Sequence, residues 1–324
     1  MKMIFKKTVL LILVFPLLLV SSICADVFSL PLELKSFWSA RLSELKAVDG
    51  EFEIEMRGTV KKGDVVGRNV WFKGYDNIEL HGYFAQPVGV SPNQKLPAVL
   101  LLHGYSDYGR PSWAERYARM GFIALAIDMR GHGKSRQDYN PGFPGLMVDN
   151  IMDSKKYSLV GVILDAIRGI DFLETLSEVD KNRIYVSGSS MGGGSAMIVS
   201  AIDARVKAVA AGVPFLNNIP ESLKTADGGP YMEVKNYLKE HPQDKERVLE
   251  TLKYVDAYNY ASYINKPIIV GVGLADSICP PKGIKSTFDR IPQSTKKEIY
   301  EAPKAGHVVL PGWHEKNKKW FSEN

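Results

Sequence analysis

The serine at position 190 lies in a pattern that is typical of a catalytic nucleophile. The segment 184–194 is I-Y-V-S-G-S-S-M-G-G-G, so a G-x-S-x-G motif follows an apolar strand-like run and precedes a helix-forming one. In a nucleophile elbow the glycines permit a sharp turn that holds the serine hydroxyl above the sheet. Backbone amides at the start of the following helix, that of Met191 first, stabilise a developing oxyanion. The alternative is a glycine-rich turn with incidental serines. A P-loop is excluded because no Gly-Lys-Ser/Thr follows.

A nucleophilic serine needs a base, and three histidines follow Ser190: His241, His307 and His314. The α/β-hydrolase order is serine, then acid, then histidine. His241 lies in a polar segment, and His314 belongs to the last predicted helix. His307 follows a strand-like segment in a glycine turn, where a loop side chain can reach the elbow. We therefore predict that His307 is the base; the alternative is a solvated loop histidine.

The acid is expected where the strand before that histidine ends. The apolar run 268–272 leads to Gly273-Leu274-Ala275-Asp276, so Asp276 is the predicted acid that orients the imidazole. The alternative is an aspartate that caps a turn. Asp256 is the nearest rival, but it lies in helical sequence before the strand.

The loop after the first buried run, 98–102, is expected to complete the oxyanion hole. Its sequence is His103-Gly104-Tyr105, in which the glycine permits close approach and Tyr105 offers a backbone amide as the second donor. His103 is predicted to support this loop by hydrogen bonding. His132, after the next apolar run, is interpreted as part of the loop structure.

The elements that must position these residues alternate in type along the chain. Residues 33–47 are predicted to form an amphipathic helix, and 51–58, 67–73 and 78–86 antiparallel strands. Continuous apolar runs predict strands buried on both faces of a parallel sheet at 98–102, 122–127, 184–186, 206–211 and 268–272. Helical segments at 159–176 and 191–204 lie between them, and a polar helical insertion spans about 216–262. This order predicts an α/β-hydrolase sheet with flanking helices, as one domain over residues 26–324.

Composition excludes several classes of protein. The 324 residues are 45% hydrophobic and 24% charged, which is ordinary for a globular chain and rules out disorder and disulfide-stapled miniproteins. Removing residues 1–25 leaves 38 basic and 36 acidic residues, which is no basis for nucleic-acid binding. The chain has two cysteines and no Cys/His cluster with metal-ligand spacing, so no metal site is expected.

The first 25 residues are predicted to be a signal peptide. Three lysines precede an apolar run at 9–20, and small residues follow up to Ala25. The run is too short to span a bilayer, which needs about 20 apolar residues. We therefore expect export, to the periplasm or medium, with cleavage after Ala25. Two alternatives are less favoured: an uncleaved anchor, and lipid attachment at Cys24, where Ile23 is bulkier than a lipobox prefers.

Taken together, these motifs resemble the acetyl xylan esterase and cephalosporin C deacetylase group, carbohydrate esterase family seven. The resemblance runs through nearly all of the mature chain. It rests on Phe37-Trp38, His103-Gly104-Tyr105, Arg130-Gly131, Pro144-Gly145, the segment 188–194, Val213-Pro214-Phe215-Leu216, and the segment 273–276 with Cys279-Pro280-Pro281.

The resemblance implies a serine esterase that removes acetyl groups from small acetylated carbohydrates and needs no cofactor. It implies a triad of Ser190, Asp276 and His307, and an oxyanion hole at Tyr105 and Met191. It places Phe215, Pro230 and Ile278 around the acyl group. It also implies a ring-like homo-oligomer, often a hexamer.

Three residues depart from the family's pattern: His132 replaces a glutamine after Arg-Gly, Met191 a glutamine after the nucleophile, and Val308 a glutamate after the histidine. None of them removes a catalytic group. A serine peptidase or a general carboxylesterase on the same fold is the main alternative. A non-catalytic binding protein is disfavoured by the complete serine–acid–histidine order.

Overall fold

The computed structural model describes residues 29–48, 52–54, 60–91 and 93–324, so the predicted signal peptide lies outside the described residues. The strands are β1 (Phe52–Ile54), β2 (Val60–Lys62), β3 (Val65–Lys73), β4 (Glu79–Pro87), β5 (Leu96–Leu102), β6 (Ile123–Asp128), β7 (Val179–Ser189), β8 (Val206–Gly212), β9 (Ile268–Gly273) and β10 (Lys297–Ala302). The helices are α1 (Leu32–Ala47), α2 (Pro111–Arg119), α3 (Ser158–Thr175), α4 (Met191–Ile202), α5 (Ile219–Thr225), α6 (Tyr231–Glu240), α7 (Lys245–Leu252), α8 (Pro281–Arg290) and α9 (Trp313–Ser322).

All ten described strands form a single sheet in the order β1-β3-β4-β6-β5-β7-β8-β9-β10, with β2 paired to β3. Strands β1 to β4 pair antiparallel with one another, and β4 also pairs antiparallel with β6. All pairings among β5 to β10 are parallel. This confirms the predicted α/β-hydrolase class of sheet. The buried parts of the parallel strands are apolar because helices cover both faces, with α3 and α4 packed on one side and α2 and α9 on the other.

The predicted insertion lies between β8 and β9. It contains α5, α6 and α7 and several short 3-10 helices. The leading helix α1 packs against its far end: the indole N–H of Trp38 donates to the Tyr260 hydroxyl at 2.7 Å, which in turn donates to the Tyr254 carbonyl at 2.8 Å. Both Trp38 and Tyr260 are fully buried, so the insertion belongs to the main hydrophobic core.

The carboxyl ends of the parallel strands lie at one edge of the sheet. The loops after β5, β7, β9 and β10 therefore meet there, which is where open α/β sheets place their ligands. Among the described residues no helix is both long and apolar enough to cross a bilayer.

Candidate active site

The turn between β7 and α4 holds Ser190 in a backbone conformation that non-glycine residues rarely adopt. Its φ is 54° and its ψ −119°, and α4 begins at the next residue, Met191. Two glycines make this turn possible. A Cβ on Gly188 would lie 2.2 Å from the Gly192 carbonyl oxygen, and one on Gly192 would lie 2.3 Å from the carbonyl oxygen of Leu102. Strand β7, helix α4 and strand β5 thus approach one another as closely as the motif requires.

The structure brings Ser190, His307 and Asp276 together in one hydrogen-bonded row. The Ser190 Oγ lies 3.0 Å from His307 Nε2, and His307 Nδ1 lies 2.7 Å from Asp276 Oδ2. The other carboxylate oxygen, Oδ1, accepts from the amides of Ile278 at 2.9 Å and Cys279 at 2.8 Å. Because a carboxylate only accepts, Nδ1 carries the proton and Nε2 is free to accept from the serine hydroxyl.

The loop after β5 lies directly against the nucleophile. A Cβ on Gly104 would be 3.4 Å from the Ser190 Cβ. The buried imidazole of His103 fixes this loop: its Nδ1 donates to the Gly104 carbonyl at 2.8 Å and its Nε2 accepts from the Met129 amide at 3.1 Å. Burial lowers the pKa of His103, which keeps the ring neutral as this bonding requires. The predicted hydrogen-bonding role of His103 is thus confirmed, and Tyr105 is the next residue of this loop after Gly104.

The residues that the resemblance places around the acyl group lie on segments that pack together. Phe215 is fully buried, with its ring 4.2 Å from that of Tyr231, and its backbone amide donates to the Ser190 carbonyl at 2.9 Å. Pro230 is buried and caps α6, while Ile278 is half-buried. A Cβ on Gly229 would lie 2.5 Å from Ile278 Cγ2, so the Ile278 side chain fills the space beside Pro230.

One group among the described residues has the ligand types and spacing to hold a metal ion. The ligand atoms of Asp276, Cys279 and His307 all lie within 4.8 Å of one another. Asp276 and His307 already satisfy each other by hydrogen bonding, and burial raises the pKa of the Cys279 thiol, which disfavours the thiolate that a metal requires. The group therefore fits a proton-transfer triad better than a metal centre.

Comparison with known proteins identifies the family of this chain. A family described as "Acetyl xylan esterase (AXE1)" matches residues 28–324. The chain belongs to the acetyl xylan esterase family. It is thereby placed among the carboxylic-ester hydrolases.

Two solved structures of acetyl xylan esterases are similar over most of the chain. The enzyme from Paenibacillus sp. R4 is 30% identical with a TM-score of 0.83, covering 91% of this chain and 95% of its own. Acetyl xylan esterase 1 from Thermoanaerobacterium sp. JW/SL YS485 is 25% identical with a TM-score of 0.81, covering 91% and 94%. Acetyl esterase Axe7A from Xylanibacter ruminicola is 27% identical over 217 residues, 62% of this chain and 47% of Axe7A, so the match spans about half of that relative.

The three departures from the family's pattern lie around the site. Met191 is fully buried at the start of α4, and Val308, beside His307, is 54% exposed. His132 is fully buried, with its ring 4.5 Å from that of His103 and its Nδ1 donating to the Arg130 carbonyl at 2.8 Å. Burial and the nearby His103 lower the pKa of His132 to about 2, so it stays neutral.

A buried ion pair supports the loop that carries His132. Asp165 of α3 accepts from the Arg130 guanidinium at 2.7 and 2.9 Å and from the Arg130 amide at 2.9 Å. Both side chains are at least nine-tenths buried. Gly161 leaves room for the guanidinium, since a Cβ there would lie 2.3 Å from Nη1. The sequence shows Arg130-Gly131 as a motif but gives no sign of this partner.

Sequence reasoning also missed Glu233, which reaches from the insertion to the loop after β5. Its Oε1 accepts from the Tyr105 hydroxyl at 2.7 Å. In the sequence Glu233 is one of many acidic residues on polar helices, and its position in the first turn of α6, three residues after Pro230, is the one available signal.

Proposed function

We propose that this protein is an exported serine esterase that removes acetyl groups from acetylated carbohydrates, such as acetylated xylo-oligosaccharides, through an acyl-enzyme. One observation carries the proposal: Ser190, His307 and Asp276 are aligned at a strand–helix elbow in a member of the acetyl xylan esterase family. The substrates named for the similar structures are those proteins' own, and they supply the class of ester to test first.

In the first half of the reaction, Ser190 Oγ attacks the carbonyl carbon of the acetyl ester and gives its proton to His307 Nε2. Asp276 stabilises the imidazolium that forms. The oxyanion of the tetrahedral intermediate accepts hydrogen bonds from the amides of Met191 and Tyr105. When the intermediate collapses, the bond to the sugar oxygen breaks, and that oxygen takes the proton from Nε2.

In the second half, a water molecule attacks the acetyl-serine. His307 takes a proton from the water and gives it to Ser190 Oγ as acetic acid leaves, which then ionises in solution. His307 thus carries each proton that is transferred between the serine, the sugar oxygen and the water. Each negative charge that develops is stabilised by a hydrogen-bond donor of this protein.

The residues that the resemblance places around the acyl group favour a short chain. Phe215 and Pro230 are buried, and the half-buried Ile278 lies against Gly229, so enlarging the space between them would disturb the packing around them. Each buried methylene gains about 0.8 kcal/mol, but overfilling a packed site costs about 1–3 kcal/mol, so steric loss wins after two or three carbons.

The test is an ester panel on purified protein with Ser190→Ala as the blank. We expect acetyl esters to be hydrolysed fastest, butyryl esters distinctly slower and octanoyl esters barely at all. An equal or rising kcat/KM from acetyl to octanoyl would favour a general lipase-like esterase. Cleavage of aminoacyl amides without cleavage of acetyl esters would favour a peptidase instead.

Location and assembly belong to the same proposal. Residues 1–25 would direct export, leaving one domain over 26–324, and the family resemblance supports a homo-oligomer, with a hexamer as the first form to test. N-terminal sequencing of protein recovered outside the cytoplasm should begin near Asp26, and sedimentation should give a mass well above one chain. An intact Met1 on cytoplasmic protein contradicts the first point, and a monomer contradicts the second.

A further inference from the structure

One carboxylate, that of Glu233, joins three separate segments beside the nucleophile. Its Oε1 accepts from the Tyr105 hydroxyl at 2.7 Å, and its Oε2 accepts from the Gly145 amide at 2.7 Å. The Tyr105 hydroxyl itself accepts from the Met147 amide at 3.1 Å. Helix α6 of the insertion, the loop after β5 that carries Tyr105 (here called the oxyanion loop) and the loop at 143–147 are thus joined at a single point.

The loop at 143–147 is itself anchored, so the connection is rigid. The hydroxyl of Tyr157, the buried N-cap residue of α3, donates to the Met147 carbonyl at 2.9 Å. The ring of Phe143 packs edge-on against that of Tyr105, with 4.8 Å between centroids. The Tyr105 side chain is therefore held at its ring and at its hydroxyl. Hydrogen bonds to a carboxylate are stronger than neutral ones, which makes Glu233 the firmest of these contacts.

We propose that Glu233 is a positioning residue for the oxyanion hole, acting through the Tyr105 hydroxyl on the Tyr105 amide. Holding the side chain limits rotation of the same residue's backbone, and an oxyanion donor acts only when it points at the oxygen of the transition state. The hydrogen bond from the Tyr105 amide to the oxyanion is made in the transition state and not in the ground state. Losing its alignment therefore lowers kcat and leaves KM nearly unchanged. The inference rests on the proposed serine-esterase mechanism.

The experiment compares Glu233→Ala, Glu233→Gln, Tyr105→Phe and the double variant Tyr105→Phe/Glu233→Ala on p-nitrophenyl acetate. Tyr105→Phe removes the hydroxyl and keeps the amide. Glu240→Gln, which removes the same charge from the exposed far end of α6, is the matched control. The rates are expressed per active site titrated with a serine-directed phosphonate, and melting temperatures are recorded, so that loss of folded protein does not count as loss of rate.

Removing an oxyanion donor outright costs about 10²–10³ in kcat, so a misaligned one should cost less, about 10–100-fold for Glu233→Ala. Glu233→Gln should fall between wild type and alanine, because the amide oxygen still accepts from one of the two donors. KM should change little, and the double variant should be no slower than the slower single variant, since both act on one contact.

Two results would overturn the proposal. One is a kcat per titrated site for Glu233→Ala equal to that of Glu240→Gln, including the case in which only the melting temperature falls. The other is a double variant whose losses multiply, because Glu233 would then act independently of Tyr105. An error in the proposed carbohydrate substrate would give a different result from an error in the role of Glu233. In that case p-nitrophenyl acetate would be hydrolysed and acetylated xylo-oligosaccharides would not.

Discussion

Replacing Asp276 by asparagine should abolish most activity for a reason that the hydrogen bonds define. Asp276 Oδ1 accepts from two backbone amides, those of Ile278 and Cys279. An asparagine must keep its single oxygen toward those two donors, which forces its NH₂ group toward His307 Nδ1. The imidazole then has to accept at Nδ1 and carry its proton on Nε2. In that tautomer His307 cannot take the proton of Ser190.

The expected loss in kcat is about 10⁴-fold, the size measured when the same tautomer is imposed in another serine hydrolase. Asp276→Ala should lower kcat by the same factor or less. Its imidazole lacks an acceptor for Nδ1, but it can still adopt the tautomer that accepts the proton of Ser190. The assay is the initial rate on p-nitrophenyl acetate per folded protein, with the melting temperature measured alongside. In Asp276→Asn the two backbone amides donate to a neutral oxygen instead of a carboxylate, and such hydrogen bonds are weaker. A modest fall in stability should therefore accompany the loss of activity.

Asp256→Asn is the matched control, since Asp256 is also a buried aspartate that accepts from two backbone amides, those of Ile219 and Tyr258. It lies outside the triad, so its kcat should stay within about twofold of wild type, as for independent sites. If Asp276→Asn kept a tenth or more of the wild-type kcat, or if Asp256→Asn were the slower variant, the acid would be assigned wrongly.

Three further outcomes follow from the same structure. Ser190→Ala and His307→Ala should each lower kcat by several orders of magnitude, and the double variant should be no slower, because triad residues act as a unit; additive losses in a rate assay would indicate separate roles. Asp165→Asn should lower the free energy of unfolding in urea by about 3–5 kcal/mol, because it leaves the Arg130 guanidinium buried without its counter-charge; a loss below about 1 kcal/mol would contradict this. Burial raises the pKa of Asp256 to about 7, above its unfolded value, so the folded state holds the extra proton and this group's contribution to stability is lost as pH rises toward 7. The melting temperature of Asp256→Asn should therefore rise relative to that of wild type between pH 5 and pH 8. A difference between the two melting temperatures that stayed constant over this range would refute the raised pKa.

The sequence predicts the buried strands well because burial on both faces leaves an unbroken apolar run. It underestimates strands that extend into solvent. The run 184–186 predicts the centre of β7, but the strand continues back to Val179 through Asp180 and Lys181, whose polar side chains hide it. Periodicity reports burial, and backbone pairing beyond the buried part leaves no such signal.

The same distinction separates the predicted and unpredicted parts of the site. Ser190, Asp276 and His307 are found because each lies in a local pattern, at the end of a strand or in a glycine turn. Glu233 is not found, because its role depends on a contact across 128 residues with a tyrosine hydroxyl. Asp165 is likewise a long-range partner of Arg130 that only the packing of α3 against the sheet reveals.

In the proposed mechanism, the first turn of α6 links the size of the acyl pocket to the geometry of the oxyanion hole. Pro230 precedes this helix and lies beside Ile278, and Glu233, one turn later, holds the hydroxyl of Tyr105. A shift of α6 that made room for a longer acyl chain would carry Glu233 with it and loosen the oxyanion loop. Substitutions that widen the pocket by moving the helix should therefore lower kcat on acetyl esters, whereas trimming Ile278 in place should not. The proposed mechanism therefore couples short-chain selectivity to rate through one helix turn of the insertion, although the triad itself lies at the carboxyl edge of the sheet.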